Sequence, residues 1–416
     1  MYNRRIIEGE LERKLNASGA VLIRGPKSCG KTETAKQFAK SVLEVDRDSQ
    51  VPVIMATNPN LLLAGDTPRL IDEWQEQPTI WNYIRHEVDD RKQKGQFILT
   101  GSANPTDNVR LHSGAGRFTI IEMNTMTWRE MGFSDGSFSM ADLLQGNKMD
   151  AFHEAVSLEF IIERLIIGGF PALLGADIAE AVDINNAYID LLAEVDMSRV
   201  SDIKRDPMKV RALLRSLSRN TATLVDNSTL AKDIKENEKN EISRPTIIDY
   251  LDALSRLMIL YEQPAFNPHI RSSASLRKSP KRHLCDTSLC VAALGLDKDA
   301  LLKDIKYAGF LFETLATHEL NVYAKANDAT VFHYHDSYDL EVDAVVQKRN
   351  SDYAAFEIKL GVGFIDEAVA NLNKFAKNID TAKMDLPKSL NIITGTGMSY
   401  RRPDGINVIS LAALGK

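Results

Sequence analysis

The segment that decides the fold is AVLIRGPKSCGKTETAKQFAKSVL, from Ala20 to Leu43. It begins with a short apolar run typical of a buried strand, continues through a glycine-bearing loop, and ends in an amphipathic helical pattern. The loop from Gly25 to Thr32 satisfies the phosphate-binding pattern GxxxxGK[ST] in full. A strand, a loop and a helix in this order favour an α/β domain that binds a nucleoside triphosphate, and an ordinary glycine turn is the alternative.

The chemistry of this loop follows from its residue types. Gly25 and Gly30 allow the backbone to curl so that successive N–H groups point at phosphate oxygens, and the following helix adds its positive dipole end. Lys31 is expected to reach the β and γ phosphates, and Thr32 to ligate Mg²⁺. The predicted nucleotide-binding residues are Gly25, Pro26, Lys27, Ser28, Cys29, Gly30, Lys31 and Thr32.

A pair of acidic residues follows in TPRLIDEWQEQPTIW, residues 67–81. Asp72 ends a short apolar step and is predicted to hold Mg²⁺ through water. Glu73 is placed to polarise the attacking water as a general base. The apolar step is short and Pro68 precedes it, so a charged helix start is the alternative interpretation.

Two further segments offer residues that sense or complete a phosphate site. GQFILTGSANP, residues 95–105, is a second apolar strand that ends in Thr100 and Ser102, either of which could sense the γ-phosphate. LHSGAGRFTIIEM, residues 111–123, places Arg117 on a glycine-rich turn. Arg117 is either a surface charge or an arginine finger that completes the site of a neighbouring subunit.

The order of GPKSCGKT, LIDEWQ, FILTGS, GRFTIIEMNTMTWREMG and GGFPALL resembles the prokaryotic AAA+ ATPases that carry an uncharacterised C-terminal domain. The resemblance spans nearly the whole chain. It implies nucleotide and metal roles for Lys31 and Thr32, Walker B roles for Asp72 and Glu73, a sensor at Thr100 or Ser102, and a finger at Arg117. A second sensor arginine is not evident, and Arg164 is the weak suggestion for it.

Composition shifts divide the chain into four predicted parts. Residues 1–134 are assigned to the AAA+ P-loop core, and residues 135–204 to a helical lid that starts with a polar break, DGSFSMADLLQGN. Residues 205–265 are assigned to a winged helix-turn-helix, and residues 266–416 to a basic connector and a nuclease-like α/β domain. The predicted fold class is α/β, with a P-loop AAA+ ATPase core, a helical lid, a winged-helix module and a C-terminal α/β domain of restriction-endonuclease-like fold.

The winged-helix prediction rests on two helical patterns joined by a polar turn. The first, NSTLAKDI, is expected to be capped by Asn227 or Ser228. The second, SRPTIIDYLDALSRLMIL, is expected to start at a Ser243 cap with Pro245 in its first turn and to act as the recognition helix.

Phosphate contacts are expected from this module and from the segment after it. On the second helix the candidates are Arg244, Thr246 and Arg256, but Asp249 and Asp252 on the same helix leave a protein-contact module open. After the helix, the stretch between Glu262 and Asp286 contains no acidic residue. Its cations are Arg271, Arg277, Lys278, Lys281 and Arg282. Such a run suits a polyanion, and it is equally typical of a solvated loop.

The C-terminal part contains DLEVDAVVQKRNSDYAAFEIKLG, residues 339–361, which reads as a hairpin. Strict alternation puts Glu341, Asp343 and Val345 on one face, and Glu357 with Lys359 on one face of the partner strand. An amphipathic helix, residues 307–327, precedes the hairpin and contains Glu313.

This arrangement resembles the core of the PD-(D/E)xK nuclease superfamily, although no proline precedes Asp343. The resemblance implies that Glu313, Asp343 and Glu357 bind Mg²⁺ or Mn²⁺, and that Lys359 positions the attacking water. The alternative is an inherited core whose acids now form internal hydrogen bonds or salt bridges, including one between Glu357 and Lys359.

Bulk properties narrow the class of protein. The chain has 416 residues, of which 44% are hydrophobic and 26% charged, and a formal charge of −6, so a globally basic nucleic-acid binder is excluded. Three cysteines form no even framework, and the charged start MYNRRIIEGELERKL lacks the apolar core of a secretion signal. We expect no membrane association and a cytoplasmic location.

The sequence thus predicts an ATP- and Mg²⁺-dependent AAA+ ATPase whose nucleotide state controls a DNA-binding C-terminal module, and the nuclease resemblance implies that this module depends on Mg²⁺ or Mn²⁺. A trans arginine finger implies self-association. The alternative is a nucleotide-switched regulator that binds DNA or protein and has an inactive nuclease-like fold.

Overall fold

The computed structural model of the chain describes residues 2–101, 114–148, 155–200, 203–238, 241–267 and 279–416. The elements of the N-terminal part are α1 (Glu8–Leu15), β1 (Ala20–Arg24), α2 (Lys31–Lys36), β2 (Ser41–Glu44), α3 (Val51–Thr57), β3 (Arg69–Asp72), α4 (Ile80–Arg91), β4 (Phe97–Gly101), β5 (Phe118–Glu122) and α5 (Trp128–Met131).

The five N-terminal strands form one parallel sheet in the order β2-β3-β4-β1-β5. β1 and β4 are almost wholly buried, which explains why their sequences are continuous apolar runs rather than alternating ones. Because the carboxyl ends of parallel strands share an edge, the residues that follow β1, β3 and β4 are brought together there.

The middle part is mainly helical. Its elements are β6 (Phe138–Ser139), α6 (Met140–Gln145), α7 (Leu158–Ile167), α8 (Ile178–Leu191), α9 (Met197–Arg199), α10 (Pro207–Arg219), α11 (Asn227–Glu238), α12 (Arg244–Arg256), β7 (Leu260–Gln263), β8 (Lys281–Leu284), α13 (Thr287–Leu294) and α14 (Lys298–Lys303). α10, α11 and α12 are followed by the antiparallel pair β7–β8, and Leu224 bridges Lys281 beside that pair.

Helix caps in this part test the sequence predictions directly. The Ser243 hydroxyl accepts a hydrogen bond from the Thr246 N–H at 3.3 Å, so the predicted cap of α12 is confirmed. The predicted cap of α11 at Asn227 or Ser228 is wrong. The carboxylate of Asp226 accepts from the Thr229 N–H at 2.7 Å, and a charged acceptor satisfies a helix N-terminus more strongly than an amide or hydroxyl.

The C-terminal part contains a second sheet. Its elements are α15 (Ile305–Ala326), β9 (Ala329–His335), β10 (Glu341–Lys348), β11 (Tyr353–Lys359), α16 (Ile365–Lys377), β12 (Ser389–Thr394), β13 (Tyr400–Arg401), β14 (Asn407–Ser410) and β15 (Leu414–Gly415). The sheet order is β13-β14-β12-β11-β10-β9, in which β9, β10 and β11 are antiparallel neighbours and β11, β12 and β14 are parallel. α15 and α16 contribute to two different cores of this sheet.

A register irregularity in β10 changes which residues share a face. The pairing with β9 shifts between Val342 and Val345, and both valines lie in the core formed with α16. Residues three apart cannot share a face in a regular strand, so the expectation that Val345 lies with Glu341 and Asp343 is wrong. The extra residue of a β-bulge is the physical reason.

Residues 135–147, predicted to be a polar break at the start of a lid, instead contain β6 and α6. β6 pairs in parallel with β15. The Ser389 hydroxyl donates to the carbonyl of Leu143 at 2.8 Å, which joins α6 to the second sheet. This segment therefore packs with the C-terminal part of the chain.

Candidate functional site

The loop between β1 and α2 has the backbone that the glycine pattern predicts. Gly30 has a φ of 101° and Ser28 a φ of 62°, both in the left-handed region. A Cβ at Gly25 would lie 2.2 Å from the carbonyl oxygen of Met123. Glycine is therefore required at position 25 by close packing and at position 30 by backbone conformation.

Lys31 lies inside this loop with 4% of its surface exposed. Its Nζ donates to the carbonyl oxygens of Gly25 at 3.0 Å and Pro26 at 2.8 Å. Both partners are neutral, so the buried ammonium charge is hydrogen-bonded but not neutralised by them. Such a cation is suited to bind an incoming anion.

Asp72, Thr32 and Thr100 meet at the carboxyl edge of the parallel sheet. Asp72 ends β3, and its Oδ1 accepts hydrogen bonds from the hydroxyl of Thr32 at 2.8 Å and from the hydroxyl of Thr100. A threonine hydroxyl and a carboxylate are hard oxygen donors, which suit Mg²⁺. The donor set present here therefore fits the metal that the sequence pattern implies.

Glu73 follows Asp72 in the left-handed conformation, with a φ of 52°. Its carboxylate accepts a hydrogen bond from the side-chain amide of Gln75. Burial raises the pKa of Glu73, although Gln75 and Lys31 oppose the shift. A carboxylate whose pKa is raised is a better proton acceptor at neutral pH than an ordinary one.

The remaining predicted residues of this half lie elsewhere. Ser102 lies outside the described residues. Arg117 precedes β5, and its carbonyl accepts from the N–H of Ala20 at 3.1 Å, which places it at the amino edge of the sheet. Its guanidinium is paired with Asp89, with Nε 2.9 Å from Oδ1. The guanidinium of Arg164 stacks 5.0 Å from the ring centre of Phe133.

Sequence reasoning missed Arg5, which lies before α1 and contacts the loop of residues 25–32, called the phosphate loop below. Its guanidinium donates to the carbonyl of Cys29 at 2.7 Å and to the carbonyl of Asn124 at 2.8 Å, and it pairs with Glu130 at 3.1 Å. Its buried position, 6% exposed, depends on contacts with residues more than a hundred positions away, which no local pattern reveals.

The loop also contacts the middle helices. Lys27 Nζ lies 3.2 Å from Asp196 Oδ1, and the Tyr188 hydroxyl donates to the carbonyl of Lys27 at 3.3 Å. Both partners belong to the segment predicted to be a lid. The phosphate loop is therefore held from three sides: by Arg5, by β5 and its following residues, and by α8 with the turn after it.

The predicted acidic residues of the C-terminal part do converge. Lys359 Nζ lies 2.7 Å from Glu357 Oε2 and 3.3 Å from Asp343 Oδ2, and the N–H of Ile358 donates to the same Asp343 oxygen at 2.8 Å. Glu313 lies on α15 beside them. We call Glu313, Glu341, Asp343, Glu357, Lys281 and Lys359 the carboxylate–lysine cluster.

Lys281 is the member of this cluster that sequence reasoning misplaced. Its Nζ lies 2.7 Å from Glu313 Oε1, 2.6 Å from Glu341 Oε1 and 3.5 Å from Asp343 Oδ1. The predicted metal ligands Glu313 and Asp343 therefore surround an ammonium group. Across the described ranges, no group of three or more His, Cys, Asp or Glu residues is arranged to hold a metal ion.

The cluster has more carboxylates than ammonium groups, and its pKa values reflect this. Burial raises the pKa of Glu357 to about 8, with Asp343 adding to the shift and Lys359 opposing it. Burial raises the pKa of Glu313 to about 7 against the attraction of Lys281. Burial also opposes ionisation of Asp343, but Lys359 and Lys281 outweigh it and lower its pKa. The lowered pKa of Asp343 reflects its position between the two lysines.

The predicted phosphate-binding segment after α12 is only partly described. Arg271, Arg277 and Lys278 lie outside the described residues. Lys281 and Arg282 are buried, and Arg282 Nε lies 2.8 Å from Glu262 Oε1. The expectation that these two cations face a polyanion is therefore wrong, because internal carboxylates already neutralise them.

The charged residues of the predicted recognition helix differ in their surroundings. Arg244 is exposed on the first turn of α12. Arg256 Nε lies 3.1 Å from Asp252 Oδ2, and Asp249 is paired with Arg205 at 2.9 Å. The acidic residues that favoured a protein-contact module are thus engaged within the chain.

Comparisons with known proteins agree with the N-terminal geometry. Residues 17–132 match a family described as an AAA domain, whereas residues 158–300 and 308–414 match two domains of unknown function, DUF8612 and DUF4143. Uncharacterized proteins of Mycobacterium tuberculosis and Mycobacterium bovis are each 26% identical over 365 residues, which cover 86% of this chain and 74% of the relative.

Two solved structures are more distant. A Walker-type ATPase of Pyrococcus abyssi is 12% identical with a TM-score of 0.43, over 70% of this chain and 96% of that one. The Orc1 protein of Aeropyrum pernix, solved in complex with DNA, is 14% identical with a TM-score of 0.24, over 73% and 94%. At these TM-scores neither structure bears on the function of this chain.

The prediction of an AAA-type ATPase domain on an α/β sheet is confirmed by the family match. A domain of this type supports ATP binding and hydrolysis. The individual roles of its residues, the winged helix and the nuclease-like domain stay predictions. Within the described ranges, none of the helices is long and apolar enough to cross a membrane.

Proposed function

We propose that this chain is a Mg²⁺-dependent ATPase whose nucleotide state controls how its C-terminal half engages DNA. The observation that carries the proposal is the meeting of Lys31, Thr32, Asp72 and Thr100 at one edge of the sheet. The ammonium of Lys31 exchanges two neutral carbonyls for phosphate oxygens, which gives it a charged partner. Thr32, and Asp72 through water, would hold Mg²⁺, which would neutralise phosphate charge.

Glu73 then acts on the attacking water. Its raised pKa and its position next to Asp72 suit a group that accepts a proton while the γ-phosphate is transferred to water. Its bond to Gln75 holds the carboxylate in place. Thr100 reports the state of the phosphate through the Asp72 oxygen that it shares with Thr32.

Arg117 supplies the finger to a neighbouring subunit. The phosphate loop follows the carboxyl end of β1, while Arg117 lies at its amino end, and a five-residue strand spans roughly 16 Å. Arg117 is therefore too far from the nucleotide of its own subunit to contact it. Its ion pair with Asp89, 43% and 38% exposed, is a surface contact that an interface can replace.

α15 connects nucleotide state to the C-terminal part. Its His318 Nε2 lies 3.1 Å from the Thr125 hydroxyl, and its Glu319 accepts from the Trp128 N–H at 2.7 Å. Its Lys325 pairs with Glu122 at 2.9 Å. Glu122 is the last residue of β5, and Thr125 and Trp128 follow it; the residue after the strand, Met123, packs on the phosphate loop. A shift of that loop is therefore transmitted to α15.

The DNA-binding part of the proposal is supported by the order α10, α11, α12, β7, β8, which is that of a winged helix, and by the exposed Arg244. We expect a fluorescent duplex to be retained more tightly with an ATP analogue than without it. Arg244→Ala would weaken retention several-fold and reduce its salt dependence. Lys383→Ala, which removes a distant exposed cation, is the matched control.

The test of the nucleotide site is calorimetry with ATP and Mg²⁺ on the full-length protein. We expect binding by the unchanged chain, loss of binding in Lys31→Ala, and no loss in Lys36→Ala, whose side chain pairs with Glu44 on the next strand. No affinity in the unchanged chain would overturn the proposal.

The trans role of Arg117 has its own test. Arg117→Ala and Lys31→Ala would each lack ATP turnover, because one lacks the finger and the other the phosphate ligand. Mixed, the Arg117→Ala subunit keeps a phosphate loop that the Lys31→Ala subunit can complete, so turnover would partly return. Arg85→Ala, beside the same Asp89, is the control that keeps turnover. A mixture without activity would contradict the trans assignment.

The nuclease resemblance assigns metal-dependent cleavage of DNA to Glu313, Asp343, Glu357 and Lys359, and this assignment has a direct test. Plasmid nicking in Mn²⁺ that is lost in the double variant Glu357→Ala, Lys359→Ala would establish it. The ammonium of Lys281 among the carboxylates favours the alternative, in which the C-terminal domain binds without cleaving.

A further inference from the structure

The carboxylate–lysine cluster is built from four separate elements. Glu313 comes from α15, Glu341 and Asp343 from β10, Glu357 and Lys359 from β11, and Lys281 from β8. β8 belongs to the strand pair beside α12, and the other three elements belong to the C-terminal sheet and its helix. Lys281 therefore enters the cluster from outside the domain that supplies every carboxylate.

The Lys281 ammonium lies among carboxylate oxygens on three sides. The three nearest carboxylate oxygens, at 2.6, 2.7 and 3.5 Å, belong to three different residues. An ammonium group has three N–H donors, so the number of partners matches the number of donors. Its side chain is 1% exposed, which means that these carboxylates, rather than water, compensate the charge.

The same oxygens would have to ligate a divalent ion. Mg²⁺ needs oxygen ligands at about 2.1 Å in an octahedral arrangement. The nitrogen of Lys281 already lies between Glu313 and Asp343, and a second cation within a few ångströms of it would be repelled. The second oxygen of Asp343 is bound by Lys359 and the Ile358 N–H. Glu357 Oε1, which lacks a hydrogen-bond partner in the described ranges, is a single donor. The residues present do not fit the metal that the nuclease resemblance implies.

We propose that Lys281 is a built-in cation that takes the place of the divalent ion, so that the cluster binds neither Mg²⁺ nor Mn²⁺ and instead fastens the β7–β8 pair to the C-terminal sheet. The proposal is independent of nucleotide binding. It makes the C-terminal domain a docking element for the β7–β8 pair, and the description of that pair as part of a DNA-binding module rests on the proposed function.

Neighbouring contacts support the fastening role. The side-chain amide of Gln263, the last residue of β7, donates to the carbonyls of Phe332 and Asp343, both at 3.0 Å. The His333 N–H donates to the carbonyl of Pro264 at 2.9 Å. β7 is thus bound to β9 and β10 by neutral hydrogen bonds, and Lys281 on the paired strand adds the charged contact.

The experiment measures Mn²⁺ binding by electron paramagnetic resonance, and melting temperature in EDTA and in Mn²⁺, on the nucleotide-free full-length chain. We expect the unchanged chain and its Asp343→Asn variant to bind the same amount of Mn²⁺, because Asp343 holds no metal ion in the unchanged chain. Lys281→Met leaves the carboxylates without their cation, so its melting temperature would fall by about 5–10 °C in EDTA. In Mn²⁺ the melting temperature of Lys281→Met would recover. The variant would bind one Mn²⁺ ion, and a further Asp343→Asn change would abolish that binding.

The matched control is Lys298→Met, which breaks a half-exposed ion pair with Glu163 and would change neither measurement appreciably. Mn²⁺ binding by the unchanged chain that depends on Asp343 would overturn the proposal. A folded Lys281→Met protein that gains no Mn²⁺ would overturn it too. If Lys281→Met does not fold, the comparison of the unchanged chain with Asp343→Asn still decides the matter.

Discussion

Two buried lysines illustrate opposite uses of the same side chain. Lys31 in the phosphate loop is 4% exposed and is held by two neutral carbonyls, whereas Lys281 is 1% exposed and is held by three carboxylates. The first is hydrogen-bonded only to neutral groups among its described contacts, and we propose that a ligand supplies its charged partner; the second is hydrogen-bonded to carboxylates of the chain. The partner's charge, rather than burial itself, decides whether a buried lysine recruits a ligand or holds two parts of a protein together.

The largest expected effect separates the two sites by activity. Asp72→Asn removes the carboxylate that Thr32 and Thr100 share, and we expect ATP turnover to fall by about two orders of magnitude. The melting temperature would change little, because asparagine still accepts from both hydroxyls. Steady-state phosphate release measures the turnover, and a thermal melt measures the melting temperature. A large loss of stability without loss of turnover would mean that Asp72 serves the fold rather than the reaction.

The corresponding change in the carboxylate–lysine cluster is expected to lower stability rather than ATP turnover. Asp343→Asn leaves Lys281 and Lys359 with fewer buried counter-charges, and we expect a loss of about 3 kcal/mol in the free energy of unfolding of this part. Turnover at saturating ATP in the surviving folded protein would remain within about twofold, since Asp343 does not contact the nucleotide site. Denaturant melts monitored beside phosphate release measure the two quantities.

A smaller effect concerns pH and the helix that joins the two regions. Burial raises the pKa of Glu319 on α15 to about 8, against hydrogen bonds from Tyr323 and the Trp128 N–H, while Glu130 on α5 adds to the rise. Because the unfolded carboxyl ionises near pH 4.5, the folded state loses stability as pH rises from about 4.5 to 8. Glu319→Gln cannot ionise, so its melting temperature relative to the unchanged chain would increase across this window. A parallel decline in both proteins would show that Glu319 is not responsible.

The smallest expected effect on the free energy of unfolding comes from breaking an exposed ion pair. Arg13 and Asp328 form an exposed ion pair, 3.3 Å apart with both side chains more than half accessible, between α1 and the turn after α15. Arg13→Ala would change the free energy of unfolding by about 0.5 kcal/mol or less. A measurable change in turnover from this variant would mean that surface charge, rather than the buried partners, controls the nucleotide site.

The sequence predicted the sites that a local pattern encodes. Ala20 to Leu43 contains strand, loop and helix in one continuous stretch, so both its geometry and the convergence with Asp72 could be anticipated. Asp343, Glu357 and Lys359 could likewise be expected to meet, because strand alternation in a hairpin places them, whereas Glu313 was added by the nuclease resemblance.

Long-range charge pairing could not be predicted in the same way. Lys281 lies in RSSASLRKSPKRH, which resembles a solvated basic loop, and its buried position depends on carboxylates 32 and 60 or more positions later. Arg5 is similar, since its partners Asn124 and Glu130 are distant in sequence. The bulge in β10 also escaped prediction, because the consecutive apolar residues Ala344, Val345 and Val346 fill both faces of the strand and hide the shift in alternation.

The pairing of β6 with β15 has a consequence for how the chain is made. Ser134 donates to the carbonyl of Leu414 at 2.6 Å across 280 positions, and the Asp135 N–H donates to the carbonyl of Ala412 at 3.0 Å. During synthesis the ATPase domain leaves the ribosome long before these partners exist, so the segment that follows it must wait with its strand unpaired. Completion of this pairing is thus a post-translational event, whereas the contacts of the N-terminal domain with Tyr188 and Asp196 involve residues that are synthesised much earlier.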